Sequence, residues 1–120
     1  MKFDLKSPEG KDMNQNGHST IQGLASSLDP QQFLPADRRS DLIGLSASFP
    51  ANAIRQAIRA TAASLLGRPA DEDFINPEIF VPDSRQTELM DMAPTDGATA
   101  VDQAIRETAA FHLLATRTAH

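Results

Sequence analysis

No cysteine, tryptophan or tyrosine occurs among the 120 residues, and phenylalanine is the only aromatic. Without cysteine there are no disulfides, no thiolate metal sites and no cysteine nucleophile. With six Phe as the only large rings, the core must rest on Ala, Ile and Leu, which makes it thin. A chain of this length buries a modest share of its surface. Self-association is one way to bury more, so a homodimer is an expected assembly.

Long apolar runs are also missing. No stretch approaches the roughly 18–20 apolar residues of a membrane span. The start, Met1-Lys2-Phe3-Asp4-Leu5-Lys6, places charge where a secretory signal needs an apolar segment. The expectation is a cytoplasmic protein without membrane contact, although export without a cleaved signal is compatible with the composition. Catalytic motifs are lacking as well. The six glycines are scattered and form no phosphate-cradling loop, and no HExxH, GxSxG or SxxK arrangement is present. The reading is a non-enzymatic protein with no cofactor and no metal.

Charge of one sign is concentrated. Residues 71–96 hold eight acidic side chains against Arg85 alone. The net charge of −5 therefore arises in one segment. An acidic chain with no basic face argues against nonspecific nucleic-acid binding. The dense run Asp71-Glu72-Asp73 lacks the alternating ligands and glycine of a calcium loop. It reads as a solvated acidic linker.

What the sequence does contain is an internal match. Residues 51–66, ANAIRQAIRATAASLL, and residues 98–113, ATAVDQAIRETAAFHL, agree without gaps at about ten of sixteen positions. About half of these identities are alanine, so shared helical composition accounts for much of the match. A duplicated unit would instead pair extended-plus-helix blocks about a pseudo-twofold axis. Ile54, Ala57, Ile58, Thr61 and Leu65 form one stripe, and Val101, Ala104, Ile105, Thr108, Phe111 and His112 form the other. Where the first copy has Leu65 the second has His112. It reads as a partly buried side chain rather than a ligand, because His18 and His120 lie in the tails and give no metal-ligand spacing.

The remaining elements follow from caps and breakers. Residues 1–18 are polar and read as a flexible N-terminal arm, ahead of a single helical domain over 19–118. Ser19 with Gln22 suggests a capping box for a short helix ending at Asp29-Pro30. A second helix is expected within 31–49, and a third over 50–66 with Ser48 as its cap. Gly67 is placed for a left-handed helix end. Residues 70–83 are apolar, acidic and interrupted by proline, which predicts an extended segment. Asp83 with Gln86 suggests another capping box, for a helix to about Met92, and Thr95 or Asp96 caps the last helix. The fold class is all-α: a small bundle of four to five helices, with two similar amphipathic central helices and one extended Pro-containing segment.

The function class that fits is a protein–protein interaction module, acting as an adaptor, chaperone or regulatory subunit. Its candidate anchors are Phe74, Ile75, Ile79, Phe80 and Val81 in the acidic segment, with Leu113 and Leu114 at the apolar end of the last helix. The plainer reading is that these five residues cover the protein's own core; burial of Phe74 and Phe80 supports that, and their exposure supports a partner site. One alternative is a helix-turn-helix DNA reader over 35–66, with Arg55 and Arg59 on the second helix and Arg38 and Arg39 at phosphates. Pro50 in the break and the alanine-rich second helix count against it. Another is a phage or secretion-system structural or exported component, given the polar stretch at residues 7–27.

Overall fold

A computed structural model describes residues 16–118. Residues 1–15, most of the expected N-terminal arm, lie outside the described residues. The described residues form five α-helices and no strand: α1 Asn16–Ser26, α2 Ala36–Ser46, α3 Pro50–Leu66, α4 Asp83–Met92 and α5 Gly97–Thr118. Three 3-10 turns lie between them, at Pro30–Gln32, Pro69–Phe74 and Pro77–Ile79. The fold is all-α, as the periodicity predicted.

α3 starts with Pro50 in its first turn, where the missing N–H costs nothing. It ends at Gly67, whose φ of 70° lies in the left-handed region that glycine enters freely. The expected cap Ser48 does not act. Phe49 holds the N-cap position without a side-chain hydrogen bond. At the start of α4, Pro82 takes the cap position, and Gln86 turns inward to donate from Nε2 to the Val81 carbonyl at 2.8 Å. The capping box expected at Asp83 is thus replaced by a side chain that ties the preceding loop. Asp96 does cap α5, accepting from the Thr99 N–H at 3.3 Å. α1 begins at Asn16, earlier than Ser19 suggested.

The proline-bearing segment is wound more tightly than an extended strand. It consists of two 3-10 turns joined through Ile75 and Asn76, both of extended backbone. Each turn opens on a proline at its first position.

The match between the two long helices extends much further than residues 51–66. Residues 29–66 and 76–113 pair without a gap at one shift of 47 positions (76 minus 29), element for element. Asp29 and Asn76 each accept from the backbone N–H two residues on, at 3.0 Å. Phe33 and Phe80 donate to the carbonyls of the buried Pro30 and Pro77, both at 3.1 Å. Pro35 (φ −59°, ψ 150°) and Pro82 (φ −56°, ψ 151°) then set the start of α2 and α4. Thr61 and Thr108 each satisfy a buried hydroxyl by donating to the carbonyl four residues back, at 2.7 Å.

Packing follows the same pairing. α3 and α5 share the most extensive contact and form the centre. α2 packs on α3 as α4 packs on α5, and each of the two short helices also reaches the opposite long one. α1 lies on α5, while the turn at 69–74 lies on α3. One buried cluster holds the matched residues Leu42 and Leu89, Ile54 and Val101, Ile58 and Ile105, together with Ala57 and Ala104 of the long helices. Such small residues let helices approach to about 8 Å.

One contact limits substitution at the α2–α5 junction. A Cβ on Gly97 would collide with Ser46 Oγ and lie 3.3 Å from the Ile43 carbonyl. Ser46 is buried, and its hydroxyl is held by that carbonyl at 2.6 Å. Gly97→Ala should therefore cost about 1–3 kcal/mol as overpacking, more than the roughly 0.4–1 kcal/mol gained by stiffening the unfolded chain. A lowered chemical-denaturation midpoint checks this; an unchanged or raised midpoint would show that Ser46 yields freely.

Candidate functional site

The anchors expected in the acidic segment separate into three groups. Val81 is fully buried in the core and is not available to a partner. Its burial decides for the core-covering role at this position. The matched residue Leu34 is buried in the same way, so this position plugs the turn onto the long helix. Phe80 is partly buried and meets Phe111 edge-on, with ring centroids 5.8 Å apart at 80°. Ile75 is also partly buried, and its carbonyl accepts from Arg59 Nε at 3.0 Å. The third group is open: Phe74 is 86% exposed and Ile79 is 58% exposed. Leu113 and Leu114 are partly buried near the end of α5.

Phe74 and Ile79 sit among carboxylates, with Asp71, Asp73 and Glu78 all exposed. Glu72 differs from its neighbours. It turns back to Arg38 of α2, at 2.7 Å from Nη2. The acidic run is therefore fastened to the bundle at its centre rather than being wholly solvated. This fixes where Phe74 emerges.

The arginines of the helix-turn-helix reading are largely committed inside the chain. Arg38 holds Glu72, and Arg39 holds Asp102 of α5 through Nε and Nη2, the latter at 2.8 Å. The Asp102 hydrogen bond raises the Arg39 pKa above its ordinary value, with burial opposing it. Arg59 is tied to Ile75, which leaves Arg55 exposed. Arg38 and Arg39, which the helix-turn-helix reading sets against phosphates, each make an ion pair within the chain.

The matched halves also produce two matched crevices, which the sequence reading missed. In the second half, Phe80, Pro82, Arg85 and Glu107 line a cavity of about 170 Å³ with Ile21 and Gln22 of α1. Arg85 there grips Glu107 through Nε at 3.0 Å and Nη2 at 2.6 Å, and Glu88 through Nη1 at 2.8 Å. The Glu107 side chain is only 5% exposed. Its hydrogen bonds raise the Arg85 pKa above the ordinary arginine value. In the first half, Phe33, Leu34, Pro35, Arg38 and Ala60 line a cavity of about 340 Å³, with Glu72 at its edge. The signal for both was the constant spacing from Phe33-x-Pro35 to Phe80-x-Pro82, with Arg38 and Arg85 three residues on.

Among the described residues no cluster of His, Asp and Glu is arranged to hold a metal ion. No described helix is long and apolar enough to cross a membrane. His112 is partly buried on α5, as its stripe position implied. Arg106, the counterpart of Arg59, has its Nε buried without an acceptor among the described residues. Compared with known protein families, with curated proteins and with solved structures, the chain matches none.

Proposed function

We propose that the protein works by binding another protein, through the apolar residues carried on its acidic connecting segment. The observation that supports this is the exposure of Phe74 and Ile79 on a segment where Ile75 and Phe80 are partly buried and Val81 fully so. A phenylalanine 86% exposed gains nothing for this fold, and its free energy of burial is left for a partner. Asp71, Asp73 and Glu78 beside it suit a partner with an apolar pocket and a basic rim. The protein then acts as an adaptor or regulatory subunit, and the α3–α5 centre is the frame that holds the segment.

Phe74→Ser with Ile79→Ser tests this reading. Both side chains are exposed, so stability should change by no more than about 0.5 kcal/mol. Affinity capture from the source cells with the wild type and the double variant should then show proteins retained by the first and lost from the second. Identical retention by both would overturn the assignment. Light scattering on the same pair checks the homodimer: a mass that halves in the variant would make a second copy the partner.

A further inference from the structure

The two crevices share a plan, although Ile21 and Gln22 of α1 also wall the second and Ala63, Ser64 and Glu72 the first. Arg38 and Arg85 occupy matched positions at the start of α2 and α4, behind the matched pairs Phe33/Pro35 and Phe80/Pro82. On the long helix behind them, the second half has Glu107 and the first has Ala60. Glu107 fills its crevice and takes the Nε side of Arg85. The first crevice, with Ala60 at this position and no residue of α1 in its wall, is the larger, at about 340 Å³ against about 170 Å³. Arg38 spends Nη1 and Nη2 on Glu72, at 3.5 and 2.7 Å. Its Nε makes no hydrogen bond among the described residues.

We propose that the first-half crevice binds a carboxylate carried on a short apolar stem, held at the Nε side of Arg38 over Ala60. Glu107 is the internal pattern for this ligand: a carboxylate at the Nε and Nη2 edge of the guanidinium, in a cavity that Phe80 and Pro82 also line. Phe33, Leu34, Pro35 and Ala63 supply the apolar wall. Glu72 is the charge that opposes an incoming anion. Arg85 shows that one guanidinium in this setting carries two carboxylates at once, Glu107 and Glu88. Edge-on pairing of arginine with a carboxylate is a strong, directional contact. The site uses different side chains from Phe74 and Ile79, and it stands or falls separately from the protein-binding reading.

Pentanoate is the probe, with pentanamide as its uncharged isostere. In a nitrogen-15 NMR titration, pentanoate should shift the amides of Phe33, Leu34, Ala60 and Ala63 in a saturable way. Pentanamide should bind at least about tenfold more weakly, the factor a single charge-assisted contact gives. Ala60→Glu rebuilds the second-half arrangement in the first and should abolish pentanoate binding. Arg38→Gln, at a side chain 37% exposed, should do so without filling the cavity, and it keeps the test valid if Ala60→Glu fails to fold. Glu72→Gln should tighten binding. N-acetylglutamate α-amide separates the two sources of such a group. Tighter binding than pentanoate assigns a glutamyl side chain of a protein, and weaker binding assigns a free aliphatic acid. Equal shifts with pentanoate and pentanamide, or pentanoate shifts that persist in Arg38→Gln, would overturn the site.

Discussion

Ile105→Asp should leave a chain with no cooperative unfolding transition. Ile105 is fully buried on α5, within the cluster that joins the two long helices. The substitution removes an apolar side chain whose burial contributes about 1.5–3 kcal/mol. It also places a carboxylate where no cation waits, and an unpaired buried charge costs several kcal/mol more, or takes up a proton at a similar penalty. Small domains are stable by only about 5–15 kcal/mol. This one sits toward the lower end, because much of its core is alanine and its large fully buried apolar side chains are few: Leu42, Ile54, Ile58, Leu89, Ile105, Val81 and Val101. Ile58→Asp, at the matched place on α3, should behave alike. Ile105→Val removes one methylene and should cost only about 0.5–1.5 kcal/mol. Circular dichroism with thermal melting reads all three. A native melt from Ile105→Asp would show that the α3–α5 contact is not what organises the fold.

That centre was legible from the sequence because its code is local. Helical spacing, Pro50 at one end and Gly67 at the other delimit α3 without reference to anything distant. The stripe residues Ile54, Ala57, Ile58 and Thr61 are all buried. Leu65, on the same stripe, is only partly so. The turns were harder to read. Proline restricts a strand and opens a 3-10 turn equally well, so the prolines of residues 70–83 predict an extended segment while Pro69 and Pro77 in fact start turns. Polar side chains were harder still. Glu72 looked like one of three solvated acids, and its partner Arg38 is 34 residues away. Asp102 and Arg39 are 63 residues apart. No local pattern foretells such pairs. The matched crevices were within reach, since the shift of 47 positions carries Phe33, Pro35 and Arg38 onto Phe80, Pro82 and Arg85. The alanine-rich half of the match is the denser in identities. The sparser half, carrying the arginines, is the one that positions the crevices.

Arg85→Met should be the most damaging substitution at a residue that no apolar pattern marks. It leaves Glu107 buried, with Gln103 Nε2 at 2.8 Å as the donor that remains. Removing one partner of a buried ion pair typically costs about 3–5 kcal/mol, most of it from the charge left behind. The companion variant decides whether that is the cause. Arg85→Met combined with Glu107→Leu removes both charges from a crevice already lined by Phe80 and Ile21. Its stability should return to near the wild type or exceed it, since apolar replacement of a buried pair is often neutral or favourable. The two single effects then sum to well above the double, and the difference is the coupling of the pair. The pH dependence has a definite sign. In the wild type the Arg85 pKa is raised, chiefly by the Glu107 hydrogen bond. The guanidinium therefore contributes fully at all pH values below the ordinary arginine range and is lost only as pH climbs through the raised value. Urea unfolding of the wild type, Arg85→Met, Glu107→Leu and the double variant at neutral and mildly alkaline pH measures the coupling and its constancy below the arginine range. A single variant as stable as the wild type would mean that water reaches Glu107, and that the second crevice is as open to ligand as the first.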